Sequence, residues 1–181
     1  MQRIQPIQIT EAPQKSRQLL EGVQRAMGMI PNLMKTLAQS PAALSGYLSL
    51  NQALDSALTG PLREQIALAV AGINDCRYCA SAHCAIGAKV GVDSDELAAN
   101  LIGDSQDSQT HAVLQFARAI VEKRGQVSDE DLDDIRAAGY GDPQIAEIVA
   151  VVALNIFTNY FNHVAATDID FPVVETAQTS R

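Results

Sequence analysis

The apolar positions of the chain fall into helix-length segments, most of them opened by cap chemistry and closed by glycine or proline. Pro13 predicts the first turn of a helix over 13–27, with Leu19, Leu20 and Val23 on one side. Residues 28–32 break it, and a short helix follows through Leu33 and Leu37. Ser40-Pro41 is a strong start signal, serine as cap and proline at the first helical position. The helix it opens is predicted to about Leu58, burying Leu44, Leu48, Ala53 and Leu54. Thr59-Gly60-Pro61 repeats the grammar ahead of a helix over 62–73. Its 66–71 run is apolar all round and so belongs at the centre of the core.

A further helix follows directly, to the glycines at 87 and 91. Ser94-Asp95-Glu96 starts a short one to about Ile102, and 103–108 reads as a polar loop. An amphipathic helix over 109–123 turns Val113, Leu114, Ala117 and Ile120 inward. Ser128 caps a short acidic helix to about Ala138, whose run 129–134 reads as a solvated face. Asp142-Pro143 opens the longest helix, to about Ala166. With no strand alternation and no internal repeat, the expected fold is all-α. A single-domain helical bundle over 13–172 is flanked by an extended arm, 1–12, and a tail, 173–181, extended and then frayed.

Composition sharpens this picture. The 181 residues suit one domain with a substantial core; 47% are hydrophobic but only 4% aromatic, which favours close-packed helices. The formal charge of −8 argues against nucleic acid and against anionic membrane surfaces as partners. The first ten residues lack the apolar core of a secretory signal. The longest apolar stretch, 145–157, contains Glu147 and Asn155, is too short to span a bilayer and reads as a buried helix. The chain is expected to be cytoplasmic. In that setting its three cysteines point to thiol chemistry rather than a disulfide framework.

Two of those cysteines and a histidine lie within 74–87 in the spacing C-x-x-C-x-x-x-H: Cys76, Cys79 and His83. On a helix, at about 100° per residue, Cys79 lies roughly 60° and His83 roughly 20° from Cys76, so all three share a face. Asn74 or Asp75 is the expected N-cap, with Cys76 in the first turn, where unpaired amides and the helix dipole favour a thiolate. A protonated His83 one turn from Cys79 would act the same way. Cys84 falls about 100° off this face and reads as a small buried residue. Dithiol–disulfide chemistry fits this pattern best. A metal site is the rival, although no second Cys-x-x-Cys or His-x-x-x-His is present and His111 and His163 are remote. Plain packing of small apolar cysteines is the bland alternative. Glu64 could be no more than a first-turn carboxylate suited to the dipole. Asn155, Asn159 and Asn162 form a polar stripe, read with His163 as structural or subunit-facing, with pocket lining as the alternative.

Glu64, eleven residues, Cys76-x-x-Cys79, three residues and His83 together resemble the E-x11-C-x-x-C-x-x-x-H pattern of alkylhydroperoxidase D (AhpD) and the wider carboxymuconolactone decarboxylase-like superfamily. Ile30-Pro31-Asn32-Leu33, Ser40-Pro41, the segment 59–64 and the ending 155–172 resemble the peroxidase-related branch, so the likeness covers roughly 25–172. It implies an all-helical AhpD-like fold, assembled as a homo-oligomer, commonly a trimer or hexamer. It also implies a thiol peroxidase or disulfide reductase using no metal and no cofactor. By motif position Cys79 would be the peroxidatic thiol that becomes sulfenic acid. Cys76 would be proton donor and resolving thiol, closing a Cys76–Cys79 disulfide, and Glu64 and His83 a proton relay with water. A thiol or dithiol donor, lipoyl- or thioredoxin-like, would restore the dithiol. AhpD carries a histidine between the cysteines where this chain has Tyr78, which by helical angle points away from the cysteine face and titrates near 10. Decarboxylase members lack the dithiol, so decarboxylation is not expected. Apolar residues such as Leu33 or Phe161 are the expected substrate contacts. The expected function is reduction of organic or hydrogen peroxide. A general disulfide oxidoreductase or redox sensor, or a non-catalytic helical oligomer, are the alternatives.

Overall fold

In the computed structural model, the described residues, 2–176, contain nine helices and no strand. They are α1 (Gln14–Met27), α2 (Asn32–Leu37), α3 (Pro41–Ala53), α4 (Gly60–Ile73), α5 (Arg77–Lys89), α6 (Ser94–Leu101), α7 (Ser108–Glu122), α8 (Asp129–Ala137) and α9 (Asp142–Ala165). Short polar side chains start most of them. Ser40 Oγ accepts from the Ala43 amide and Thr59 Oγ1 from the Leu62 amide, each ahead of a proline in the first turn. Asp93 and Asp107 cap α6 and α7, and Ser128 forms a capping box with Asp131 on α8.

α4 is the central helix. It is buried continuously from Gln65 to Ala71 and packs against α5, α6, α7 and α9. At Gly72 a side chain would collide with the Leu101 carbonyl, 1.9 Å from an added Cβ, so glycine permits the close approach of α6. Two apolar clusters flank α4. One joins it to α7 and α9 through Ile66, Val70, Val113, Leu114, Ile148 and Val152. The other gathers Leu20, Leu33, Leu37 and Leu44 from α1–α3 around Cys76, Tyr78 and Cys79. Each large aliphatic side chain so buried contributes about 1.5–3 kcal/mol.

Three sequence expectations are revised. α3 ends at Ala53 rather than near Leu58. Arg63, at the start of α4, donates to Asn51 Oδ1 at 2.9 Å and pairs with Asp55, which fastens the segment after α3 as a turn. The arm is extended but docked: the Arg3 amide donates to the Ala165 carbonyl (2.7 Å), and Gln2 Nε2 donates to Thr36 Oγ1 (2.9 Å). Finally, α9 runs for 24 residues, and by length and composition alone it is long and apolar enough to cross a membrane. Here one side of it is core, against α4 and α7, and Asn155, Asn159 and Asn162 lie on that buried side. The expected frayed end, 177–181, lies outside the described residues.

Candidate active site

A two-residue turn separates α4 from α5. Asn74 closes α4, and Asp75 takes the left-handed conformation (φ 54°), which aspartate tolerates better than most residues. The Cys76 amide reaches back to the Ala71 carbonyl at 2.9 Å. Cys76 is therefore itself the N-cap of α5, its Sγ accepting from the Cys79 amide at 3.3 Å. The cap expected at Asn74 or Asp75 is displaced because the reversal of the chain uses both residues. Cys76 still sits among the free amides of a helix start, where negative charge is favoured.

Cys76 and Cys79 are disulfide-bonded, with Cα atoms 5.3 Å apart, and both are buried. Cys79, and not Cys76, lines a cavity of about 260 Å³. α5 contributes Tyr78, Ala82, His83 and Ile86 to its walls, α4 contributes Arg63 and Glu64, and α9 contributes Thr158 and Asn162. Met27, Leu33, Met34 and Phe171 make it largely apolar on the side facing α1, α2 and the tail. A wider groove between α1 and α3, about 560 Å³, shares Met27, Met34, Tyr47, Asn51 and Asp55 with the cavity. Of the expected substrate contacts, Leu33 lines the cavity. Phe161 does not: it packs against the second cluster, and the aromatic wall is Phe171 instead.

His83 Nδ1 and Glu64 Oε2 are 2.7 Å apart, both side chains partly exposed to the cavity. One turn further along α5, Gly87 leaves room for Leu97 of α6, whose Cδ2 would lie 2.6 Å from an added Cβ. Behind the pair a chamber of about 30 Å³ is bordered by Glu64, His83 and Asn155, the size of a single water site. The structure thus brings Cys76, Cys79, His83 and Glu64 together. Among the described residues no three His, Cys, Asp or Glu side chains converge so as to hold a metal ion.

Tyr78 departs from its expected direction. It lines the cavity beside Cys79, accepts from the Leu33 amide (3.1 Å) and donates to Asp170 Oδ1 (2.9 Å). Its ring meets Phe171 edge-on at 5.9 Å. Helical angle alone could not locate it, because the tail that folds over α5 supplies its partners. Burial pushes its hydroxyl far above the ordinary range, so it does not replace the family histidine as a titrating group. Burial likewise raises Tyr47 to about 12, with the Glu64 charge adding to the effect. Cys84 is a free thiol, raised by burial and absent from the cavity lining. His111 pairs with Asp104 at the surface, and His163 Nε2 contacts the Asp75 carbonyl at 3.2 Å. Asp131 in the acidic helix is held at about 2 by Lys123 and by the Ser128 cap.

The asparagine stripe reaches the site. Asn162 Nδ2 donates to Cys79 Sγ at 3.3 Å, a contact that the spacing 155, 159, 162 announces as a polar line but does not aim.

Residues 41–123 match the carboxymuconolactone decarboxylase family. No match was found among curated proteins. Among solved structures, an AhpD-core peroxidase-related protein of Ralstonia eutropha JMP134 is similar at TM-score 0.82 and 27% identity, covering 93% of this chain and 92% of that one. A peroxidase-related protein of Silicibacter sp. TM1040 gives 0.78 and 25%, covering 87% and 85%. The debrominase Bmp8, solved with 2,3,4-tribromopyrrole as its C82A variant, shares the fold at 0.79 and 23%, covering 92% and 91%. With the family match over α3 to α7, the common fold along nearly the whole length and the dithiol at its centre, the chain is similar to AhpD-like proteins of the carboxymuconolactone decarboxylase-like superfamily.

Proposed function

We propose that this protein is a dithiol peroxidase that reduces organic or hydrogen peroxide through Cys79 and Cys76. The observation that carries this reading is the placement of Cys79 alone of the pair on the cavity, with Cys76 bonded behind it and the His83–Glu64 pair on the same wall. In the reduced enzyme His83 takes the Cys79 proton, and the thiolate attacks the outer oxygen of ROOH. An S–O bond forms and the O–O bond breaks, leaving Cys79 as sulfenic acid; the departing alkoxide takes the Cys76 proton and leaves as ROH. The Cys76 thiolate then attacks the Cys79 sulfur, and hydroxide leaves, receiving the proton held by the His83–Glu64 pair and departing as water. A dithiol donor, lipoyl- or thioredoxin-like, returns two electrons and two protons by exchange with the disulfide.

One equivalent of tert-butyl hydroperoxide added to reduced protein tests this. The expected result is rapid formation of the Cys76–Cys79 disulfide by mass spectrometry, with sulfenic acid trapped at Cys79 in the Cys76→Ser variant. Thiols that stay reduced over many minutes overturn the reading; thiols that nonetheless exchange with a small disulfide transfer it to general disulfide oxidoreduction. A reducing, cytoplasmic compartment is the setting such a cycle needs. The proposed assembly is a homo-oligomer built on the outer face of α9. There Val149, Phe157, Tyr160 and Val164 are exposed, with no carboxylate, lysine or arginine among them.

A further inference from the structure

The three asparagines on the buried side of α9 do different things. Asn155 Nδ2 donates to the Val151 carbonyl of its own helix (2.9 Å), and Asn159 Oδ1 accepts from Asn74 Nδ2 (3.0 Å). Asn162 donates to Cys79 Sγ. It is 4% exposed, and its Oδ1 is buried with no hydrogen-bond donor among the described residues. A bonded sulfur is a weak acceptor, so in the disulfide state this amide is poorly satisfied at both ends. For packing alone an apolar side chain of the same shape would serve better. The balance reverses when Cys79 is a thiolate: an N–H donated to an anion is roughly twice as strong as one between neutral groups, and it favours the charged form.

We propose that Asn162 is a catalytic residue whose Nδ2–H stabilises the Cys79 thiolate. The inference rests on the dithiol reading of the site but not on peroxide being the oxidant. The ionisable groups facing the Cys79 side of the cavity are Glu64 and Arg63 from α4, His83 and Tyr78 from α5, and Tyr47 and Asp55 from α3 and the turn after it. α9 and α2 present only neutral side chains there, and Asp170 of the tail is engaged with Tyr78 and the Asn32 amide. Arg63 is paired with Asp55, and His83 with Glu64. Asn162 is thus the neutral donor in direct contact with the sulfur, and removing it changes no charge in the cavity.

The test is made in a Cys76→Ser, Cys84→Ser background, where Cys79 is the one thiol left, by following thiolate ultraviolet absorbance against pH. Asn162→Leu is expected to raise the midpoint by about one pH unit, lowering the thiolate fraction near neutrality about tenfold. Asn162→Asp, which exchanges the donor for a like charge, is expected to raise it further. Asn162→Ser serves the same purpose should leucine prevent folding, as judged by circular dichroism. A midpoint within about 0.2 unit of the parent in any folded variant overturns the proposal. If the midpoint moves with Asn162 while the parent forms no sulfenic acid from tert-butyl hydroperoxide, the thiolate role stands and the peroxidase reading falls.

Discussion

Glu64 holds His83 by one hydrogen bond at Nδ1, and that bond selects which ring nitrogen carries the proton. With a carboxylate at Nδ1, the proton resides there and Nε2 is left free to accept one. Glu64→Gln preserves the shape but can offer an amide N–H to Nδ1, which inverts the tautomer. The expected outcome is a fall of about 10²-fold in the stopped-flow rate of Cys79 oxidation, with an unchanged melting temperature. Cys76, Cys79 and His83 were legible from spacing, since three residues one and two turns apart on a helix must share a face, whereas Glu64 was singled out only through the resemblance to the AhpD pattern. Tyr78 and Asn162 were not legible. Both owe their roles to contacts with chain more than eighty residues away, the tail for Tyr78 and α5 for Asn162, and a rotation angle along one helix carries no information about either.

At the scale of elements, caps carried most of the legible information. Serine or threonine with proline placed the starts of α3 and α4 to within two residues. The end of α3 was less visible, because an arginine in the next helix ends it rather than a glycine of its own. Glu96 ties α6 into the bundle in the same cross-element way. Its carboxylate accepts from Gln65 of α4 (3.1 Å), Asn100 (2.8 Å), Ser105 (2.5 Å) and the Gln106 amide (3.2 Å). Burial pushes this carboxyl up, but the four hydrogen bonds outweigh it and hold it below the usual range. A depressed folded value means that the stabilisation is present above the unfolded carboxylate range and is lost as pH falls through the folded one. Glu96→Gln is therefore expected to cost about 1 kcal/mol in urea denaturation at neutral pH, with the gap closing below about pH 4. Tyr78→Phe removes the hydroxyl shared by α2 and the tail. It is expected to destabilise by about 1–2 kcal/mol and to speed amide exchange across 168–176, read by mass spectrometry.

For the whole molecule, the apolar stretch of α9 reads from sequence as a buried helix, but only one side of it is core and the other carries exposed apolar side chains. Val149, Phe157, Tyr160 and Val164 are each more than two-fifths exposed. Association of a second copy on that face predicts a particle larger than 19.3 kDa in light scattering, and Phe157→Glu with Val164→Glu is expected to reduce it to that mass. A wild-type chain already at the single-chain mass would remove this assembly. The bundle's two clusters also explain why all-α character was plain from sequence while the cavity was not: a helix is a local pattern, whereas the cavity is where α2, α4, α5, α9 and the tail fail to fill one space.

That last wall has a consequence in time. Phe171 and Asp170 leave the ribosome after the cysteines, and Tyr78 and Asp170 are 92 residues apart. At translation speeds of about 5–20 residues per second, that interval lasts on the order of 5–20 s. Throughout it the nascent dithiol has neither its aromatic screen nor its α9 donor, and is open to any oxidant large or small. On the proposed dithiol chemistry, selectivity towards what reaches Cys79 is therefore a property acquired late in synthesis, and a newborn chain would depend on the reducing power of its surroundings to arrive at that moment with both thiols intact.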